Sequence, residues 1–162
     1  MRKIILTASL AAALCAAAPG LASAQNACER SKHEDKVAGT VIGAIGRHPI
    51  DRKKYAVVAD DQGRYACTHW RLLERFGDYS LLRFKLDTGR THQIRVHCAH
   101  LGHPLLGDAT YSRCRKLPVE LHGQALHAVE LGLDHPITGE RMVFEAPLPE
   151  SFERLLEALR RR

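Results

Sequence analysis

The chain has 162 residues, 45% of them hydrophobic and 26% charged, a balance that supports one folded domain and argues against wholesale disorder. Its 24 Lys and Arg against 18 Asp and Glu give a formal charge of +6, with 10 His in addition, which favours an anionic partner such as nucleic acid. No apolar run reaches the roughly 18–20 residues of a plain membrane span, so a multi-span membrane protein is excluded, as are a multidomain machine and a collagen-like chain.

Residues 1–24 read as a signal-peptide-like leader outside the fold. Arg2 and Lys3 open it, 4–18 is almost charge-free and apolar, Pro19-Gly20 breaks it, and Ala22-Ser23-Ala24 offers the small-x-small pattern of a cleavage site. Its removal leaves no membrane span and takes Cys15 with it. Cys28, Cys67, Cys98 and Cys114 then remain, either as two disulfides with three possible pairings or as free thiols packed like small hydrophobes. Residues 25–38 form a polar arm, and the folded domain is expected over 39–162.

Short β-branched runs at 37–45 and 54–59 read as strands on either side of Gly46-Arg47-His48-Pro49. Asp60-Asp61-Gln62-Gly63 is a turn. Two longer strands are expected at 65–75 and 79–87, joined at Phe76-Gly77-Asp78. In the second, Leu82, Phe84 and Leu86 alternate with Leu81, Arg83 and Lys85, the period of a half-buried strand. Ile94, His97, Cys98 and Leu101 then fall on one helix face, which Gly102-His103-Pro104 ends. A hairpin is expected over 126–134 and 140–146. The last element is a helix beginning at Pro149-Glu150, with Phe152, Leu155, Leu156 and Leu159 as its apolar stripe and Arg160 to Arg162 complementing the dipole at its end. The fold class is α+β, with a mixed, mainly antiparallel sheet and flanking helices.

The densest chemistry lies in Thr88 to His103. A glycine turn feeding a helix start gathers Arg90, His92 and Arg95, which suits a phosphate or serves as a solvated cap. Arg47, His48, Arg52, Lys53 and Lys54 form a second basic cluster, and two clusters in one small domain raise the prospect of a polyanion track. Trp70, Tyr65 and Tyr79 can stack on bases or fill the core. His92, His97, His100, His103 and Cys98 invite a metal reading, although no HExxH or CxxC accompanies them. Asp108, after Gly107, reads as a loop organiser.

Gly89-Arg90-Thr91-His92-Gln93-Ile94-Arg95-Val96-His97, followed by Gly102-His103-Pro104-Leu105-Leu106-Gly107-Asp108, resembles the C-terminal catalytic motif of the RluA/RluD-type ribosomal large-subunit pseudouridine synthases. The resemblance extends to Gly46-Arg47-His48-Pro49, Thr68 to Phe76, Leu126-His127-Ala128, His135 to Gly139 and Phe144 to Pro149, in the family's order, and so covers about residues 39–159. It implies an RNA cleft that holds a flipped-out uridine, ribosomal RNA as partner, and no metal or organic cofactor. Arg95 would pair with the catalytic aspartate, Arg90 and His92 would face the RNA backbone or the flipped nucleotide, and Leu126 would line the uracil pocket.

The family's nucleophilic aspartate lies in an upstream HRLD-type segment, followed by a strand carrying a tyrosine. His33-Glu34-Asp35 lacks that pattern, and Tyr55 stands in a different segment. The expectation is therefore the C-terminal half of a catalytic domain behind an export leader, inactive alone and completed by a separately encoded N-terminal half. The leader points to the periplasm or outside, whereas the family chemistry belongs in the cytoplasm. The alternatives are a non-catalytic RNA- or polyanion-binding remnant and an exported metal-binding His/Cys protein. Without the missing half, a strand edge and the apolar faces of Leu82, Phe84, Leu86 and of Val129, Leu131, Leu133 are expected to stand open.

Overall fold

The computed structural model describes residues 7–16, 37–112, 117 and 119–161. The polar arm up to residue 36, the small-x-small site at 22–24, Cys28, Cys114 and Arg162 lie outside the described residues. Among the described residues, eight strands and two helices follow in chain order: β1 (Thr7–Ala16), β2 (Ala38–Ile42), β3 (Ala44–Arg47), β4 (Tyr55–Val58), β5 (Cys67–Phe76), β6 (Tyr79–Leu86), α1 (Gln93–His100), β7 (Leu126–Asp134), β8 (Arg141–Glu145) and α2 (Glu150–Arg160). None of these helices is long and apolar enough to cross a membrane.

The large sheet runs β2-β5-β6-β1-β7-β8, and β3 with β4 makes a separate hairpin. Every pairing is antiparallel, so the chain is α+β with antiparallel sheets and flanking helices. The single strand expected over 37–45 divides at Gly43, whose N–H donates to the Ala66 carbonyl at 3.1 Å. That contact turns the chain from β2 in the large sheet into β3 in the small one.

The two faces of β6 meet different helices. Phe84, with Leu82 and Leu86, packs with Val41, Trp70, Ile94, Cys98 and Leu105 under α1. Leu81, expected on the outward face, is instead buried with Leu106, Ala125, Phe152, Leu155, Leu156 and Leu159 under α2. The alternation of β6 is intact: Arg83 and Lys85 on that face stay exposed, and the C-terminal helix covers it at Leu81. Trp70 is a core residue, 9% exposed.

Thr7–Ala16, within the segment read as a leader, forms the strand between β6 and β7. Its register pairs Leu10 with Phe84 on one side and with Ala128 on the other. Strands β6 and β7 each present a ladder of backbone groups there, and an uncharged extended segment can pair with both, since ladder bonds need no particular side chain. The outer strands of the sheet are thereby β2 and β8, with Val143 and Phe144 of β8 exposed at 55% and 50%.

Candidate nucleic-acid interface

The turn before α1 is organised by one glutamine. Gln93, 3% exposed, donates through Nε2 to the Cys67 carbonyl and to Thr68 Oγ1, both at 3.0 Å. Its Oε1 accepts from the Arg90 N–H at 2.9 Å and from the Thr88 hydroxyl at 2.8 Å. A buried amide with both ends satisfied fixes its surroundings and leaves no desolvation penalty. The clamp holds His92, the residue before the helix, at φ 56°, a left-handed conformation that costs a non-glycine residue on the order of 1–3 kcal/mol.

That conformation delivers the His92 ring between two tyrosines. Tyr55 and Tyr111 each meet it edge-on, with ring centroids 5.8 Å away. His92 Nδ1 lies 3.1 Å from the Tyr111 hydroxyl, whose oxygen also accepts the Tyr55 N–H at 3.0 Å. The Arg47 guanidinium sits 4.7 Å from the centre of the Tyr55 ring, and that of Arg95 sits 5.1 Å from the centre of Tyr111. The result is a column, Arg47–Tyr55–His92–Tyr111–Arg95, with cations at both ends. Burial, then the charge of Arg95, lowers the His92 pKa, so the imidazole at its centre favours the neutral form.

Arg95 is held by Asp108. Its Nε donates to Oδ2 and its Nη2 to Oδ1, both at 2.8 Å, with side-chain exposures of 14% for the arginine and 0% for the aspartate. Asp108 Oδ1 also accepts the N–H groups of Thr110 and Tyr111 at 2.9 and 3.1 Å. Gly107 makes this turn with φ 72°, and a side chain there would collide with the Gly123 carbonyl oxygen. Burial by itself would raise the Asp108 pKa, but the guanidinium and the two backbone donors outweigh it and hold the carboxyl below its ordinary value. The same hydrogen bonds raise the Arg95 pKa. A buried charge of this kind persists because it is both paired and fully bonded.

Two cavities open on either side of Tyr55. One, of about 480 Å³, is lined by Tyr55, Arg64, Gly89 and Arg90 among others. The other, of about 430 Å³, is lined by His48, Lys54, Tyr55, His100 and Tyr111 among others. The two basic clusters, far apart in sequence, thus meet at one tyrosine. Arg90 is braced by its Nε donating to the Tyr65 carbonyl at 2.9 Å. His48 organises its own turn, its Nδ1 accepting from Ile50 and Asp51 at 3.2 and 3.0 Å. Arg52 and Lys53 are exposed at the tip of the β3–β4 hairpin, and Lys54 lies 3.6 Å from Asp51. Leu126 lines neither cavity and packs against the Phe84 and Leu105 cluster.

Reading the residues alone missed Tyr111 and Gln93 as members of the site, and placed Tyr55 only within a strand. The one available signal for Tyr111 was an aromatic residue three positions after Asp108 in an irregular stretch. Asp108 is the loop organiser expected, and is in addition the carboxylate partner of Arg95. The histidines that invited a metal do not gather. His92 stands between tyrosines, His97 is buried with its Nδ1 2.9 Å from Thr68 Oγ1, and His100 is exposed. Cys67 and Cys98 are buried thiols and not half-cystines.

A family model described as RNA pseudouridylate synthase matches residues 20–100. An uncharacterized RNA pseudouridine synthase of Synechocystis is 53% identical, over 78% of this chain and 39% of its own length. The ribosomal large subunit pseudouridine synthase D of Pseudomonas aeruginosa is 52% identical, over 75% of this chain and 41% of its own. Among solved structures, human RNA pseudouridylate synthase domain containing 1 superposes with a TM-score of 0.64 at 26% identity, covering 96% of this chain and 66% of that one. The chain spans about two fifths of the length of these curated relatives. The motif around α1, the fold and this level of identity together show that the chain belongs to the RNA pseudouridylate synthase family, of the RluA/RluD type.

Proposed function

We propose that this chain carries the RNA-facing portion of a uridine-to-pseudouridine isomerase site and does not turn over by itself. The observation that carries the reading is the pair at the end of the aromatic column. Isomerisation by the family's chemistry needs a carboxylate that acts at the nucleoside, so that uracil is detached and rejoined through carbon. Asp108 is fully buried and accepts four hydrogen bonds, so it has no access to a substrate. No other carboxylate bonds Arg95 among the described residues.

In this reading Arg95 is the positioning residue for a nucleophilic aspartate supplied by an HRLD-type segment, and a separately encoded N-terminal half is one source of it. Arg47, His48, Arg52, Lys53, Lys54, Arg90 and His92 face RNA, ribosomal RNA by analogy with the relatives. Export through residues 1–24 and retention of Thr7–Ala16 as β1 exclude each other, because a cleaved leader cannot stay in the sheet.

Two measurements test this. Tritium release from 5-tritiated uridine in ribosomal RNA is expected to be absent with the chain alone and to appear when a polypeptide bearing the HRLD-type segment is added. Release by the chain alone overturns the reading. RNA affinity is expected to fall steeply with salt, as counterion release requires. Arg90→Ala should weaken binding and reduce the log–log salt slope by about 1. Arg160→Ala should do neither, since Arg160 is bound bidentately to Glu74 at 3.0 and 2.7 Å near the far end of the β5–β6 hairpin. Salt-independent binding, or equal losses from the two variants, contradicts a phosphate track at Arg90.

A further inference from the structure

A second constellation lies outside the aromatic column, where β5 begins and β6 ends. Cys67 and His69 are two residues apart on β5 and therefore share a face, and Asp87 follows β6 directly across from them, its N–H donating to the Cys67 carbonyl at 3.3 Å. Cys67 Sγ is 3.7 Å from His69 Nε2, and the same nitrogen is 2.7 Å from Asp87 Oδ2. All three ligand-bearing atoms lie within 4.8 Å of one another.

The arrangement is not that of a nucleophile relay. A relay places the acid on one ring nitrogen and the nucleophile on the other. Here the thiol and the carboxylate both address Nε2, while Nδ1 lies 2.9 Å from the Thr40 hydroxyl on β2. Three different donors converging on one point, with the imidazole steadied from behind by a hydroxyl, is the pattern of a cation site with its supporting outer partner. Thiolate, imidazole and carboxylate together match a borderline-soft divalent ion such as Zn²⁺, and match Mg²⁺ or Ca²⁺ poorly.

The surroundings suit this. Cys67 is only 4% exposed, and its backbone is fixed by its N–H to Thr88 Oγ1 and its carbonyl to Gln93 Nε2, both at 3.0 Å. The side chains of His69 and Asp87 are 41% and 49% exposed, so the group is closed beneath and open above. Bonds of about 2.0–2.1 Å to nitrogen and oxygen at a tetrahedral angle need those two atoms roughly 3.3 Å apart. A small swing of the exposed Asp87 carboxylate provides the extra half ångström or so.

We infer that Cys67, His69 and Asp87 bind one divalent transition-metal ion, Zn²⁺ by the chemistry of the donors, with a remaining coordination position open to water or an anion. On binding, the thiol proton passes to solvent as the sulfur–metal bond forms. The ion ties the adjacent ends of β5 and β6 together, and β2 supports the imidazole through Thr40. This inference is independent of the proposed RNA chemistry.

Cobalt(II) is the probe, added to the full untagged chain freed of metal. The expected result is uptake of one equivalent, with a near-ultraviolet thiolate-to-cobalt charge-transfer band and visible bands of tetrahedral intensity, displaced by Zn²⁺. Cys67→Ser should abolish the charge-transfer band. Asp87→Asn and Thr40→Val should each weaken uptake by about 10-fold or more, with unchanged circular dichroism. Cys28→Ser and Cys114→Ser should retain the band. Absence of a thiolate band in the parent chain, or a band that survives Cys67→Ser, overturns the inference. RNA binding measured on the same samples reads out the other proposal separately.

Discussion

Helix α2 buries Phe152, Leu155, Leu156 and Leu159, while α1 buries Gln93 and His97 beside Ile94, Val96 and Cys98. Helix α2 is held by apolar area, at about 1.5–3 kcal/mol for each large side chain fully buried. The other is held in good part by a polar network that works only when every member is present. Gln93, Thr68, Thr88 and His97 form one hydrogen-bonded group, Arg95 and Asp108 a second, and the second continues outward into the aromatic column. The difference teaches where function resides in this chain. Apolar packing fixes the scaffold, and the polar side supplies charges whose positions matter to within a fraction of an ångström.

The largest test of the scaffold concerns β1. Deleting residues 1–24 removes the strand between β6 and β7 and leaves two ladder edges facing each other across a gap. Such edges recruit other chains, so the shortened protein is expected to lose its cooperative melt and to associate in sedimentation velocity, while the full chain sediments as a monomer. A shortened chain that melts cooperatively as a monomer would show that the sheet closes without Thr7–Ala16.

Next come two substitutions that set the helices against each other. Asp108→Ala leaves Arg95 buried without its partner and should cost about 3–5 kcal/mol in urea unfolding. Leu155→Ala opens a cavity at a fully buried site and should cost about 3 kcal/mol. The two should part company in RNA binding, which Asp108→Ala weakens by freeing Arg95 and the Tyr111 turn and Leu155→Ala leaves near the parent value under folding conditions. A smaller effect is expected for Tyr111→Phe. It removes the hydroxyl that bonds the Tyr55 N–H and His92 Nδ1, at a cost of about 1–2 kcal/mol.

The smallest effect is a pH dependence confined to the polar side. Burial lowers the His97 pKa from the ordinary 6.5, with a smaller lowering from His100 that a backbone contact with Gly43 opposes, and burial followed by Arg95 lowers that of His92. Below pH 6.5 the unfolded chain therefore binds more protons than the folded one. Stability is at its full value above that pH and declines as pH falls toward the folded values. Asp108 acts lower down. Its contribution is complete above the unfolded carboxyl value of about 3.9 and is lost as pH falls through its depressed folded value. His97→Gln should flatten the first decline and leave the second in place, as read from urea midpoints taken from about pH 2 to pH 7.

Much of this molecule is legible in its residues. The amphipathic stripe of α2, the alternation in β6 and the hairpin over 126–146 are local periodicities, and a local pattern survives whatever it packs against. The motif around α1 carried the family, because its glycine turn, cations and glutamine stand at fixed short spacings. What the tertiary structure alone decided are the meetings between distant segments. Arg47 and Arg90 share the neighbourhood of Tyr55 because the β3–β4 hairpin folds back onto α1. Arg95 finds Asp108 through a glycine turn 13 residues on. Leu81 is buried because α2 arrives from the C-terminus, and Thr7–Ala16 joins the sheet because β6 and β7 leave room for one strand. The physical reason is common to all four: a side chain's partners across the fold depend on register and crossing geometry, which no window of consecutive residues encodes.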